Sequence, residues 1–143
     1  MIDERMMAST AGRFCAAGAT IANVSLGLSV LALAVLLFGN ARGFGAWLWG
    51  LVAALGGAGA WYRFRLVFDA GVFADIASID DRAIVARLAA FDSTLQVLAG
   101  RPREASATRT LPDRVRGARR LVARVASITV AQASIALLAA FAR

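Results

Sequence analysis

Three long apolar runs, Phe14 to Phe38, Phe44 to Tyr62 and Val125 to Ala142, constrain this chain more than any other feature. Each is close to the roughly 17 to 25 residues that a helix needs to cross the hydrocarbon of a bilayer. With 59% hydrophobic and only 17% charged residues, and a mean hydropathy of +0.67, a water-soluble fold of 143 residues would leave apolar surface uncovered. The sequence therefore predicts an all-α integral membrane protein with three transmembrane helices. Residues 1–143 form one membrane domain, in which 63–124 make a helical loop between the second and third spans. That leaves no room for a separate soluble catalytic domain.

The charges divide in a way that sets an expected orientation. All sixteen basic residues are arginines, and fourteen lie either in the first thirteen residues or between Arg63 and Arg124. With three spans those two places share one side, while Arg42 and Arg143 share the other. The positive-inside rule then predicts a cytoplasmic N-terminus, a cytoplasmic loop and an external C-terminus. Arginine without a single lysine reads as the coding bias of a GC-rich bacterium, so the expected location is a bacterial inner (plasma) membrane. The basic leader before Phe14 resembles that of a signal peptide. The apolar run after it is much longer than the roughly 7 to 15 residues of a signal core, so an uncleaved first helix is expected.

Several chemistries lose their usual residues. There is no histidine, which removes the commonest axial haem ligand, zinc ligand and general base. Cys15 is the only cysteine, so no internal disulfide or thiolate cluster can form, and it reads as a small apolar residue at the start of the first span. No cofactor and no metal are expected. The spans contain no ionisable side chain of the kind on which proton-coupled carriers depend.

Within the membrane the expectation is close helix packing. Gly39 to Gly43 form a short terminator-rich turn, which makes the first two spans an antiparallel hairpin. Trp47, Trp49, Trp61 and Tyr62 fall near the ends of the second span, where rings favour the headgroup region. Small residues four apart provide faces for packing within the chain or for an oligomer: Gly12 with Ala16 and Gly18 with Ala22 in the first span, Gly50 with Ala54, Ala53 with Gly57 and Gly56 with Ala60 in the second, and Ser127 with Ala131 in the third. Asn23, Ser25, Ser29, Thr129, Gln132 and Ser134 are the polar groups in the first and third spans. Asn23 and Gln132 are expected to join in an interhelical hydrogen bond worth about 1 kcal/mol.

The loop carries the remaining signals. Leu66 to Ile79 continues at helical spacing, either as an extension of the second span or as an amphipathic helix on the membrane surface. Ser78 and Asp81 mark a helix start, after which Ile84, Leu88, Phe91, Leu95 and Leu98 recur at heptad intervals until Gly100 and Pro102. That seam fits either a neighbouring helix or a cytoplasmic partner. Arg101 to Asp113 reads as a loop, and Thr110, Pro112 and Asp113 as the start of a helix reaching the third span. On it Arg116, Arg120 and Arg124 share a face with Arg119 beside them. They are either topology anchors or a site for anionic lipid headgroups or an acidic partner. No aromatic platform accompanies them, so no nucleic acid partner is expected.

Asp69, Asp75, Asp80, Asp81 and Asp92 could in principle serve an interfacial lipid-modifying enzyme, but no nucleophile, metal or phosphate-loop motif frames them. The leading expectation is a non-catalytic small membrane protein, an accessory or structural subunit of a larger complex or a homo-oligomer. The alternative is a homo-oligomeric channel or transporter lined by Asn23, Ser25, Ser29, Thr129 and Gln132.

Overall fold

Four helices make up the described part of the chain: α1 (Glu4–Phe38), α2 (Gly43–Ala77), α3 (Asp81–Leu98) and α4 (Leu111–Phe141). The structure is a computed structural model and describes residues 4–39, 41–79, 81–98 and 110–142. Three of these helices, α1, α2 and α4, are long and apolar enough to cross a membrane. At about 1.5 Å per residue the 35-residue α1 and α2 are each about 52 Å long, well beyond a hydrocarbon layer of about 30 Å.

The surplus length lies at the arginine-rich end. α1 starts at Glu4, so residues 4–13 belong to the same helix as the apolar run that follows. α2 likewise runs unbroken through Arg63, Gly71 and Phe73 to Ala77, so residues 66–77 continue the second span's helix rather than forming a separate one. Ser78 serves the end of α2 rather than the start of α3, since its hydroxyl donates to the Asp75 carbonyl at 2.7 Å. α4 begins where its sequence signals place it: Thr110 is the N-cap residue, Pro112 sits in the first turn, and the Thr110 hydroxyl donates to Asp113 Oδ2 at 2.7 Å.

The seam between the helices follows heptad spacing. On α1 the buried positions are Ala8, Ala11, Cys15, Gly18, Ala22, Ser25, Ser29 and Ala32, at alternating intervals of three and four. On α2 Gly45, Trp49, Val52, Gly56, Gly59, Leu66 and Phe73 keep the same register. A repeat of 3.5 residues keeps one stripe facing its neighbours along the whole helix and implies a left-handed supercoil. Every buried α1 residue is small, so α2 and α4 approach its backbone closely; a Cβ on Gly18 would stand 2.7 Å from a Val122 methyl.

Core composition changes along the bundle. Towards the end away from the arginines it is a thin cluster of Ala32, Trp49, Val52, Ala136 and Ala139. At the arginine-rich end it thickens to Leu66, Phe73, Ile76, Ile84, Leu88, Leu111 and Leu121. Water surrounds a helix end that protrudes from lipid, and there each large buried side chain gains about 1.5 to 3 kcal/mol from burial. Between lipid-embedded helices that drive is absent, and close packing of small residues takes its place.

The outer surface inverts the usual pattern. Val24, Val30, Leu31, Leu37, Val130, Leu137 and Leu138 are all at least half exposed. An apolar belt of that extent has lipid as its natural solvent. Its ends are marked by Phe38, Phe44 and Trp47 on one side and Trp61 and Phe64 on the other, all well exposed. Trp49 does not belong to that ring. It is only 9% exposed and sits in the core cluster with Ala32 and Val52, because its heptad position turns it inward.

Candidate functional site

Where α1, α2 and α4 meet in the middle of the apolar stretch, three polar side chains close on one another. Ser25 and Ser29 stand one turn apart on α1, and Gln132 faces them from α4. The Ser25 hydroxyl donates to Gln132 Oε1. Gln132 Nε2 donates to Ser29 Oγ at 3.0 Å and to the Val52 carbonyl of α2 at 2.9 Å. Ser29 in turn donates to the Ser25 carbonyl at 3.0 Å. Both amide hydrogens and the amide oxygen of Gln132 are thus used, and its side chain is fully buried.

Two glycines make this arrangement possible. A Cβ at Gly56 would overlap Ser29 Oγ and Cβ, and one at Gly59 would overlap Ser25 Oγ. The knot therefore requires glycine on α2 opposite each serine. An internally satisfied network of this kind specifies register among three helices whose apolar surfaces offer little to choose between.

The expected bond between Asn23 and Gln132 is not made. Asn23 lies two positions from Ser25, about 200° around the helix, and is exposed on the outer surface. Its Oδ1 accepts from Arg63 Nε of α2 at 2.6 Å. The small face expected to pack, Gly50, Ala54 and Gly57, also points away from α1 and α4: Ala54 and Gly57 are exposed, and a Cβ at Gly50 or Gly57 meets nothing within 4 Å. Packing within the chain uses Gly18, Ala22 and Gly56 of the expected small residues, joined by Gly45 and Gly59. All these glycines look alike in composition, and only the heptad separates the two sets.

Nor do Asn23, Ser25, Ser29, Thr129 and Gln132 share one open face. Ser25, Ser29 and Gln132 are bonded inside the bundle, Thr129 is half-buried and returns its hydroxyl to the Val125 carbonyl at 3.0 Å, and Asn23 faces outward.

At the arginine-rich end, α3 folds onto the bundle with the first part of its seam. Ile84 is fully buried and Leu88 is 5% exposed, both within this chain's own core, so neither is available to a partner. Phe91 is half-buried against Phe68, with ring centroids 6.0 Å apart, and the Arg114 guanidinium stands 5.3 Å from its ring centre. The side chains of Leu95 and Leu98 lie outside the described residues. Arg114, half-buried between α3 and α4, has a structural role that its place among many arginines did not reveal; the signal was an arginine one turn into a helix opposite an aromatic seam.

Arg116, Arg119, Arg120 and Arg124 are all exposed on α4 ahead of Val125. Arg116 lies 3.5 Å from Asp113. Arg119 closes one side of an open groove of about 460 Å³ between α1 and α4, lined also by Met6, Met7, Thr10, Phe14 and Val115. Asp69 is half-buried on the extension of α2 beyond its apolar stretch. Burial pushes its carboxyl above the ordinary aspartate value, and the nearby Arg65 and Arg114 charges only partly oppose this. Asp75 is exposed beside a second groove of about 300 Å³ between α2 and α3. Asp80 and the side chains of Asp81 and Asp92 lie outside the described residues. Among the described residues no three acidic or cysteine side chains are grouped to hold a metal ion.

The fold and these sites define an all-helical protein with three helices built to cross a membrane. No protein-family model, curated protein or solved structure matches the chain.

Proposed function

We propose that this is a non-catalytic accessory or structural subunit of a bacterial inner membrane, which joins a larger membrane complex, or copies of itself, through the outward face of α2. The observation that carries this reading is the division of the small residues on α2. Gly45, Gly56 and Gly59 are consumed in packing against α1 and α4, whereas Gly50, Ala54 and Gly57 form a second face, open and unoccupied. In lipid a flat face of small residues is what permits another helix to approach closely. The polar knot supports the same reading, because its hydrogen bonds are spent on holding the bundle together and offer no polar path through a single chain.

On this reading the N-terminus is cytoplasmic and the C-terminus external, since the extensions of α1, α2 and α4 carry most of the arginines. Arg116, Arg119, Arg120 and Arg124 then lie against the anionic inner leaflet, each contributing about 1 kcal/mol near the surface. The test is the mass and composition of the assembly extracted from its native membrane in mild detergent. A defined assembly that dissociates on Gly50→Leu and Gly57→Leu, with the chain's helicity intact, is expected. Extraction of the native chain as a lone monomer, or an assembly indifferent to both substitutions, would remove the reading.

A further inference from the structure

The hydrogen bond from Arg63 to Asn23 stands in an unusual place. Arg63 is 19 positions after Phe44, or about 28 Å along α2, close to the far edge of a hydrocarbon layer of about 30 Å. Side chains on a helix lean towards its N-terminus, which for α2 is back into the apolar layer. Asn23 is 15 positions before Phe38, or about 22 Å, and so sits about 8 Å short of that edge. An arginine at such a boundary ordinarily extends towards water. Here the opposite holds: the guanidinium is drawn inward and held by Asn23 Oδ1 at 2.6 Å.

Both side chains are exposed on the outside of the bundle at the α1–α2 boundary, so what they face is lipid. Asn23 uses only Nε, and among the described residues no other hydrogen bond is given by this guanidinium. Among the described residues Nη1 and Nη2 meet no protein acceptor, and Arg63 is exposed. A charged group in hydrocarbon with unmet donors is costly, and it lowers that cost by drawing an anionic oxygen to itself. The planar fork of arginine fits two oxygens of a phosphate. Trp61 and Phe64, exposed at the same level, place the pair at the belt where headgroups begin.

We propose that Asn23 and Arg63 form a binding site for the phosphodiester of an anionic phospholipid, with Asn23 fixing the guanidinium at a set depth and Arg63 engaging the phosphate. An anionic headgroup is favoured over a zwitterionic one because the latter carries its own cation, which competes for the phosphate. The site is distinct from the α4 arginines, which lie outside the apolar layer. It rests on the membrane reading of α1 and α2 and does not depend on assembly with a partner.

The experiment is native mass spectrometry of the full chain in mild detergent, titrated with phosphatidylglycerol, phosphatidylcholine or inorganic phosphate. Phosphatidylglycerol is expected to bind the native chain more tightly than phosphatidylcholine, and inorganic phosphate is expected neither to bind nor to compete. Arg63→Gln is expected to weaken the first phosphatidylglycerol by at least about fivefold, the ratio matching about 1 kcal/mol per basic residue near the surface. Asn23→Ala is expected to weaken it while leaving the charge in place, and Arg124→Gln to leave it within about twofold, with circular dichroism confirming the fold of each variant. Unchanged binding in Arg63→Gln would overturn the proposal, as would equal loss in Arg124→Gln. Loss of a co-purifying protein from Arg63→Gln with lipid binding intact would also overturn it, assigning the fork to a protein carboxylate.

Discussion

Gly56 and Gly57 are adjacent, yet they are expected to respond to alanine with opposite signs. A methyl on Gly56 enters space held by Ser29 Oγ and Cβ, whereas one on Gly57 meets nothing within 4 Å. Ser29 cannot withdraw freely, because it accepts from Gln132 and donates to the Ser25 carbonyl. Overpacking costs about 1 to 3 kcal/mol, and each interhelical hydrogen bond disturbed in a membrane bundle costs about 0.6 kcal/mol. Against these, alanine in place of glycine favours the helix by about 1 kcal/mol. Gly56→Ala is thus expected to destabilise the bundle by about 1 to 3 kcal/mol, and Gly57→Ala to leave it unchanged or stabilise it by up to about 1 kcal/mol. The assay is unfolding in mixed micelles by increasing dodecyl sulfate, followed by tertiary-contact signals from the buried Trp49. Ser29→Gly removes the obstructing atoms, so a double-mutant cycle with Gly56→Ala is expected to show coupling of about 1 kcal/mol or more. Equal shifts for the two alanine variants, or no coupling, would refute the packing argument.

Three further outcomes follow from the same geometry. Gln132→Leu, which strips the partners from Ser25 and Ser29, is expected to cost about 1 to 2 kcal/mol in the same unfolding assay, while Ser134→Ala, whose exposed hydroxyl only returns to the Val130 carbonyl of its own helix, leaves stability nearly unchanged. On α3, Leu88→Ala is expected to cost about 2 to 4 kcal/mol in thermal unfolding, and Val85→Ala, at a position 68% exposed, less than about 0.5 kcal/mol. The raised carboxyl of Asp69 binds its proton more tightly in the folded state, so its contribution is fully favourable below the unfolded value of 3.8 and is lost as pH rises through the folded one. Asp69→Asn is accordingly expected to raise the melting temperature at pH 7 relative to the native chain and to make no difference near pH 3.5, a comparison that thermal melts at the two pH values decide.

The sequence carried the helices better than their faces. Long apolar runs, the Gly39 to Gly43 connection and the start of α4 at Thr110 and Pro112 were all legible because length, glycine and proline act locally. The extension of α1 back to Glu4 was hidden by Glu4, Arg5, Ser9 and Thr10, which break the apolar pattern without breaking the helix. The faces were harder for a physical reason. Lipid is as apolar as the inside of the bundle, so the contrast that reveals the buried side of a soluble helix is missing. By composition, Gly50, Ala54 and Gly57 are therefore as suitable for packing as Gly56, and nothing in hydropathy singles out Gly45 or Gly59. What distinguishes them is the unbroken three-and-four spacing of Ala8, Ala11, Cys15, Gly18, Ala22, Ser25, Ser29 and Ala32 on α1, readable in the sequence once size rather than hydropathy is tracked.

The same reasoning accounts for the polar groups. Gln132 was visible as a hydrogen-bonding residue in a span, but its partners depend on which α1 positions share the heptad stripe. Ser25 and Ser29 lie on it and Asn23 does not. Likewise the seam of Ile84 and Leu88 suits any helix, and it is the reach of α2 and α4 beyond the apolar stretch that covers it.

The central claim, that the outer face of α2 is an assembly surface, is tested most directly by a photo-reactive amino acid placed at Ala54 and illuminated in native membranes. A discrete protein adduct is expected from position 54, lost when Gly50 and Gly57 are replaced by leucine, and none from Val30 on the exposed side of α1. Adducts to lipid alone at position 54, or the same protein adduct from position 30, would contradict it.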